Sequence, residues 1–395
     1  MITDRSRSGS GVDTCKRERR WPFRLLLGVT VLVLATGTLS AWGYSQGWDR
    51  YIHYRHLPDW NRSHEKALLA TLGATATANS AAATPSPRTA MISPNASPAA
   101  ASSPTVTSTP TVDMAGLSDG NVTSKSIDSP TLGKPFGYRI YLPPGYDDKR
   151  FATTHYPVIF LLHGAPGGKD DWIDGGLANQ TADALIKTAT IRPVIIVMPD
   201  GSLGDPHHDT QWGNSPVTGE RVEDALVDDL IPAIDATYRT IPGPDTRAIA
   251  GLSSGGYGAL NIALHHPDTF HVVVSLSGYF KAAQTYDGHD IWGSDQARAE
   301  NSPANNVGSR DQPLHIELID GLDEGQGVDD TKAFDAQLID AKIDHQTLFF
   351  PGGHAWEFWK DHLLEALEYC DSHLAHHASA PGGFARGGSW PAATT

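Results

Sequence analysis

Seven short apolar runs recur along the C-terminal two-thirds of the chain, and this recurrence constrains the fold more than any other feature. The runs are YRIYL at 138–142, VIFLL at 158–162, VIIVM at 194–198, RAIA at 247–250, VVVSL at 272–276, HIELI at 315–319 and TLFF at 347–350. Several are apolar without interruption, which is typical of strands that are buried on both faces. The runs therefore predict a central, mostly parallel sheet.

Helical patterns separate these runs. Between 221 and 238 an apolar residue recurs every fourth position and forms one stripe, although we expect Pro232 to kink the helix. The stripe consists of Val222, Leu226, Leu230 and Ile234. The segments 255–266 and 356–374 also have helical patterns. Because strands and helices alternate, we predict a doubly wound α/β fold with helices on both faces of the sheet.

Composition limits this domain to residues 130–377. Residues 45–129 form a linker that is dominated by Ala, Thr, Ser and Pro from residue 67 onward and contains almost no aromatic residues there. Such a segment buries too little apolar surface to offset its ordering entropy, so we expect the linker to be largely disordered. The tail at 378–395 has a similar composition, and we expect it to be disordered as well.

The N-terminus predicts a membrane anchor. Residues 1–24 are rich in Arg and Lys, and an uninterrupted run of 18 residues (LLLGVTVLVLATGTLSAW) follows at 25–42. A run of this length can cross a bilayer, and the basic flank should remain in the cytoplasm. We therefore predict a transmembrane or signal-anchor segment at 25–44, with the α/β domain outside the membrane. Secretion after cleavage is the alternative, although Leu39-Ser40-Ala41 fits a cleavage site poorly.

Charge and cysteine content narrow the choice of partners. The formal net charge of -15, without a basic stripe in the α/β domain, argues against a nucleic-acid partner. Cys15 and Cys370 are the two cysteines and lie on opposite sides of the apolar segment, so we expect no intramolecular disulfide. No CxxC motif or Cys/His ligand spacing is present, and the sequence predicts neither a metal nor an organic cofactor. It does not predict an oligomeric state.

The sequence GLSSG at 251–255 is the strongest functional signal. It has the pattern G-x-S-x-G and lies directly after RAIA and directly before a helical segment, which is the context that this motif requires. A sharp turn there exposes the Ser253 hydroxyl as a candidate nucleophile, and the following helix directs free N–H groups toward it. Ser254 occupies the next position, and we assign its backbone N–H to an oxyanion hole.

A serine nucleophile needs a base and an acid. The sequence PGGHAW at 351–356 follows TLFF, and its His354 is the candidate general base. The acid is expected after the preceding strand, in the chain order serine, acid, histidine. There GLDEG at 321–325 offers two adjacent carboxylates, Asp323 and Glu324, and spacing alone does not choose between them.

The run VIFLL leads into the glycine-rich loop HGAPGG at 163–168. A loop after an early strand commonly supplies the second oxyanion donor, which we assign to the backbone N–H of Ala165. The loop at 202–221 is expected to border the substrate cleft, and its adjacent His207 and His208 are expected to be loop residues without a metal. We predict substrate contacts for His163, Gly164, Trp172 and Trp212.

Taken in order, five motifs resemble one esterase family. They are PPGYD at 143–147, LLHGAPGG with Trp172 shortly after it, VMPDG at 197–201, GLSSGGYGAL and GGHAWEFW. The family contains esterase D, feruloyl esterases, enterochelin esterases and the antigen 85 mycolyltransferases, and the similarity covers about residues 130–375. It implies an α/β-hydrolase fold and a serine esterase. In this family the acid commonly follows a glycine by three positions, which favours Glu324 over Asp323.

The resemblance implies acyl transfer through an acyl-enzyme, without a cofactor. The predicted anchor disfavours a cytosolic thioester substrate and favours cell-envelope or imported esters, such as acylated sugars, phenolic esters or siderophore esters. Transfer of an acyl group to a sugar hydroxyl requires the same three residues, so an acyltransferase is an alternative. A non-catalytic binding module is a second alternative, and the presence of serine, histidine and acid argues against it.

Overall fold

The computed structural model describes residues 111–112, 116–308, 313–375 and 390–391. The predicted anchor at 25–44, most of the linker and most of the tail lie outside these residues. Within the described part of the chain, no helix combines the length and the apolar character that crossing a membrane requires.

An eight-stranded sheet forms the centre of the domain. Its strands are β1 (Asn121–Ser129), β2 (Lys134–Leu142), β3 (Val158–Leu162), β4 (Ile195–Pro199), β5 (Arg247–Leu252), β6 (Val272–Leu276), β7 (His315–Gly321) and β8 (Asp344–Phe350). Their order across the sheet is β1-β2-β4-β3-β5-β6-β7-β8. β2 pairs antiparallel with β1 and β4, and all other pairs are parallel. A separate antiparallel pair joins Thr111–Val112 to Trp390–Pro391.

Helices cover both faces of the sheet. They are α1 (Asp171–Asp174), α2 (Ala178–Lys187), α3 (Val222–Asp224), α4 (Ile231–Thr237), α5 (Ser254–His265), α6 (Asp295–Glu300), α7 (Pro303–Asn306), α8 (Gln326–Ala341), α9 (Trp356–Asp361) and α10 (Leu363–His373). Ile159 and Leu161 of β3 belong to the core that contains α2 and α10. Phe160 and Leu162 of the same strand belong to the core that contains α5 and α8. Successive side chains thus point to opposite faces, and the predicted two-sided α/β layering is confirmed.

All seven predicted strands are present, with ends that differ from the prediction by at most four residues. The predicted helix at 221–238 is not a continuous α-helix. A π-helical segment, Ala225–Leu230, connects α3 to α4, and Pro232 lies in the first turn of α4. Proline lacks the N–H that an α-helix interior requires, so the wider π turns before it accommodate the missing donor.

The predicted linker boundary at residue 129 was wrong. Asn121–Ser129 forms β1 and pairs with β2 along all nine residues. β1 is an edge strand, and most of its side chains are exposed or half-buried, so its polar composition resembles that of a linker. Ser129 is the exception, because it is buried and its Oγ donates a hydrogen bond of 2.5 Å to Asp229 Oδ2.

We expect β1 to be required for stability. A chain that begins at residue 130 should unfold more than about 5 °C below one that begins at residue 116, because β2 loses an antiparallel partner and Asp229 loses the Ser129 donor. Thermal unfolding followed by circular dichroism measures the difference. Equal unfolding midpoints would show that β1 is dispensable and would restore the original domain boundary.

Candidate active site

Ser253 lies at the sharp turn between β5 and α5. Its backbone has φ 53° and ψ −120°, a conformation that non-glycine residues rarely adopt. The Ser253 N–H donates to Leu276 O at 2.9 Å, and the Ser253 carbonyl accepts from Tyr257 N at 3.0 Å. These bonds to β6 and α5 hold the strained residue in place.

The two motif glycines are required by close backbone contacts. A Cβ atom at Gly251 would overlap the carbonyl of Gly255, and a Cβ atom at Gly255 would overlap the carbonyl of Leu162 at the end of β3. The turn therefore packs too tightly for any side chain at these positions. The pattern G-x-S-x-G thus follows directly from the geometry of the turn.

The predicted base and one predicted acid meet at this serine. His354 Nε2 lies 2.9 Å from Ser253 Oγ, and His354 Nδ1 lies 2.8 Å from Glu324 Oε2. Both distances are within hydrogen-bonding range, so the imidazole connects the hydroxyl to the carboxylate. The three residues follow three different strands, yet they converge at one edge of the sheet.

Backbone hydrogen bonds join the loop of the acid to the loop of the histidine. Leu322 N donates to Phe350 O, and Asp323 N donates to Gly352 O, both at 2.8 Å. A Cβ atom at Gly321 would lie 2.5 Å from Gly352 O, so glycine permits this close approach. The relative position of Glu324 and His354 is therefore set by the backbone.

The structure brings Glu324 to His354 and leaves Asp323 in solvent. The Glu324 side chain is 6% exposed, and its second oxygen accepts a 2.5 Å hydrogen bond from Ser277 Oγ. Asp323 is exposed, and its carboxylate makes no hydrogen bond to any described residue. The geometry thus agrees with the preference for Glu324 that the family resemblance implied.

The electrostatics around Glu324 favour the ionised carboxylate. Burial alone would raise its pKa, but hydrogen bonds from His354 and Ser277 hold the pKa of Glu324 below its usual value. Asp320, at the end of β7, has the opposite shift, since burial raises the pKa of its carboxyl to about 6, and the nearby Glu324 charge adds to the rise. Of these two neighbours, Glu324 is therefore the more acidic, and its carboxylate is the one that lies against the imidazole.

Sequence reasoning missed Ser277 and Trp359. Ser277 has φ 49°, and its Oγ accepts a hydrogen bond of 2.9 Å from Trp359 Nε1 while it donates to Glu324. The Trp359 ring also stands edge-on to His354, with 4.9 Å between ring centroids. The sequence contains only weak signals for these two residues. Ser277 directly follows the run VVVSL, and Trp359 belongs to GGHAWEFW.

The predicted oxyanion donors lie beside the serine. A Cβ atom at Gly164 would lie 3.2 Å from Ser253 Cβ, so the HGAPGG loop passes directly against the turn. Ser254 is the first residue of α5, and its N–H therefore has no partner within the helix. Neither the Ala165 N–H nor the Ser254 N–H donates to an acceptor in the described part of the chain. Their role as donors to an oxyanion stays a prediction.

The predicted substrate contacts at Trp172, Trp212 and His163 need correction, because all three side chains are buried. The Trp172 indole is 1% exposed and donates to Leu162 O, whereas the Trp212 indole is 2% exposed and donates to His163 O, both at 3.0 Å. These indoles donate to the carbonyl of the last residue of β3 and to the carbonyl of the first residue after it. They therefore hold the chain where β3 enters the HGAPGG loop. Gly164 is also buried, and it lets the HGAPGG loop pass directly against Ser253.

His163 lies in a different environment from the two adjacent histidines, His207 and His208. The His163 ring packs 4.8 Å from the Trp212 ring, and burial lowers the pKa of His163, which keeps the imidazole neutral. His208 Nε2 lies 2.8 Å from Glu220 Oε2, whereas His207 Nδ1 lies 3.2 Å from the Tyr286 hydroxyl. The structure does not assemble His207 and His208 around a common ligand position.

Comparison with known proteins identifies the family. A family model described as putative esterase matches residues 129–370. The chain belongs to this esterase family. The resemblance stated from the sequence motifs is therefore confirmed.

Two curated relatives are similar over part of their length. An endo-1,4-beta-xylanase/feruloyl esterase from Xylanibacter ruminicola is 34% identical over 164 residues, which cover 41% of this chain and 22% of that protein. Esterase Rv1288 from Mycobacterium tuberculosis is 30% identical over 256 residues, which cover 56% of this chain and 52% of that protein. The chain thus spans about half or less of the length of these relatives.

Solved structures confirm the α/β-hydrolase-like fold of this chain. A ferulic acid esterase is 25% identical with a TM-score of 0.57, and the match covers 64% of this chain and 98% of that one. An S-formylglutathione hydrolase from Agrobacterium tumefaciens is 17% identical with a TM-score of 0.55, and the match covers 68% of this chain and 99% of that one. The second likeness concerns the fold alone.

We expect Ser277→Ala to impair this site. The substitution removes a hydrogen bond to an ionised carboxylate, so kcat/KM toward p-nitrophenyl acetate should fall about tenfold. The pKa of Glu324 should rise toward its usual value, and the acidic limb of the pH profile should move to higher pH. Stopped or continuous release of p-nitrophenol across pH measures both effects.

Ser275→Ala is the matched control. Ser275 lies two residues earlier, is equally buried, and its Oγ has no hydrogen-bond partner among the described residues. Its removal should leave the pH profile unchanged. If both variants shift the profile equally, or neither does, Ser277 does not position Glu324.

Proposed function

We propose that this protein is a serine esterase that hydrolyses carboxylic esters through an acyl-enzyme. The observation that carries the proposal is the position of one imidazole, 2.9 Å from the Ser253 hydroxyl and 2.8 Å from the Glu324 carboxylate. Serine is a weak nucleophile until a neighbouring base accepts its proton, and a carboxylate on the far side orients that base. Each partner is within reach without movement of the backbone.

In the proposed first step Ser253 Oγ attacks the ester carbonyl, and His354 Nε2 accepts the hydroxyl proton. The carbonyl oxygen becomes an oxyanion, to which the N–H groups of Ala165 and Ser254 donate. Glu324 stabilises the imidazolium, because its carboxylate lies against Nδ1 and stays ionised. The C–O bond to the alcohol then breaks, and His354 returns the proton to the leaving alcohol.

The second step repeats this chemistry with water. His354 removes a proton from the water, the resulting oxygen attacks the acyl carbon, and the proton passes to Ser253 Oγ as the acid leaves. A sugar hydroxyl in place of water would give acyl transfer with the same residues. The His354 side chain is 47% exposed, so an acceptor reaches the imidazole directly from solvent.

Phenolic-acid esters are the substrates that we propose to test first. A curated relative is named as a feruloyl esterase, and a solved structure with a TM-score of 0.51 is a ferulic acid esterase from Anaeromyces mucronatus in complex with ferulic acid. The open position of His354 suits an ester that projects from a larger molecule.

We further propose that the enzyme acts outside the cytoplasmic membrane. The support is the basic N-terminus followed by the apolar run at 25–42, which together have the features of a single-pass anchor. The Ala, Thr, Ser and Pro-rich linker would then separate the catalytic domain from the bilayer. Secretion after cleavage would also place the domain outside the cell.

Ser253→Ala should abolish hydrolysis. Without the nucleophile, kcat toward p-nitrophenyl butyrate and methyl ferulate should fall at least about 10³-fold, as in other serine hydrolases that lose this group. A fluorophosphonate probe should label the wild-type protein on Ser253 and not on the adjacent Ser254, as peptide mass spectrometry would report. Equal turnover in both proteins, with no label on Ser253, would instead favour a non-catalytic binding protein.

Two amide substitutions test which carboxylate acts. Glu324→Gln should lower kcat by about 10³- to 10⁴-fold, because the neutral amide no longer stabilises the imidazolium. Asp323→Asn should stay within about twofold of wild type, since its carboxylate faces solvent. Circular dichroism checks that both variants fold. The opposite ranking would reassign the acid to Asp323.

A further inference from the structure

A second cluster of ionisable side chains lies at the opposite end of the sheet from Ser253. It consists of His315, Asp344 and His373, and one nitrogen or oxygen atom from each lies within 4.8 Å of the other two. His315 Nδ1 lies 2.5 Å from Asp344 Oδ2, and the rings of His315 and His373 are 4.7 Å apart. The proposed ester hydrolysis uses none of these three residues.

The backbone fixes the positions of all three residues. His315 and Asp344 are the first residues of β7 and β8, and they are direct partners in the parallel register. His373 is the last residue of α10. One turn earlier on this helix, the Tyr369 hydroxyl donates to Ile316 O at 2.9 Å and fastens α10 to β7. The fold therefore sets the backbone positions of the three residues.

The orientation of His373 is typical of a metal-binding imidazole. His373 Nδ1 lies 2.9 Å from the Tyr369 carbonyl and 2.9 Å from Ser372 Oγ, whose own proton goes to that carbonyl, so we assign the imidazole proton to Nδ1. In this tautomer Nε2 has a lone pair that can bind a metal ion. A hydrogen bond from the second ring nitrogen to a backbone carbonyl commonly orients histidine ligands in this way.

The charge at the cluster also favours a cation. Among the described ion pairs, Asp344 contacts His315 and no lysine or arginine, so no permanent positive charge neutralises it. The Asp344 side chain is 66% exposed and can rotate to shorten its distance to a bound ion. Solvent access leaves room for water as a further ligand.

We propose that His315, Asp344 and His373 bind a divalent transition-metal ion, with Zn²⁺ as the best match. Two imidazoles and one carboxylate are borderline donors that suit Zn²⁺, whereas Mg²⁺ and Ca²⁺ require mostly oxygen ligands. Sequence spacing gave no sign of this site, because the three ligands are brought together by strand register and helix packing.

The bound ion would stabilise the fold and take no part in ester hydrolysis. β7 and β8 each have seven residues, and a strand rises about 3.3 Å per residue, so their two ends are about 20 Å apart. Glu324 and His354 follow the far ends of these strands. An ion at the near ends would join the edge strand β8 to β7 and α10.

The test is a Zn²⁺ titration of the full chain in detergent after chelator treatment, followed by calorimetry and by thermal unfolding. The wild-type protein should bind one more Zn²⁺ than His373→Gln and His315→Gln, or bind it at least about tenfold more tightly. Zn²⁺ should raise the unfolding midpoint of the wild type by several degrees and that of these variants by less.

His289→Gln is the matched control, because His289 also lies beside an aspartate, with Nδ1 3.0 Å from Asp287 Oδ2, but is not part of the cluster. It should bind Zn²⁺ as the wild type does. If the histidine variants fail to fold, the exposed Asp344→Asn decides the question by the same two measurements. Equal stoichiometry, affinity and thermal shift in wild type and cluster variants would overturn the proposal.

Discussion

The strained backbone of Ser253 is the constraint on which the rest of the site depends. Its positive φ turns the chain from β5 into α5 within one residue and leaves the hydroxyl at the edge of the sheet. Strain of this kind costs of order 1–3 kcal/mol and persists only where the surroundings fix it. Here Leu276, Tyr257 and the tight packing of Gly251 against Gly255 supply that restraint.

The parallel sheet then determines which other residues reach the hydroxyl. β3, β5, β7 and β8 run in the same direction, so the residues that follow them emerge at one edge. The HGAPGG loop, Ser253, Glu324 and His354 therefore meet, although they are far apart in the chain. Three hydrogen bonds help to fix these segments. The buried indoles of Trp172 and Trp212 donate to backbone carbonyls where β3 enters the HGAPGG loop. The Ser277 hydroxyl donates to the Glu324 carboxylate.

The sequence predicted most of this arrangement where a strong physical signal was present. Continuous apolar runs predicted the buried strands, but the polar edge strand β1 has no such signal, and its residues were assigned to the linker. Motif order predicted the elements that carry Ser253 and His354. It did not predict side-chain direction, so Trp172 and Trp212 were placed in the cleft although they point into the core. Ser277 and the His315 cluster depend on packing between distant segments, which spacing does not encode.

The proposed acyl transfer is tested most directly by a crystal structure of the domain after reaction with an ester-like phosphonate, whose tetrahedral phosphorus resembles the first intermediate. We expect a bond from phosphorus to Ser253 Oγ, with the phosphoryl oxygen about 3 Å from the backbone nitrogens of Ala165 and Ser254. His354 should remain between Ser253 and Glu324. A phosphoryl oxygen that points away from both nitrogens, or an adduct on another residue, would contradict the proposed chemistry.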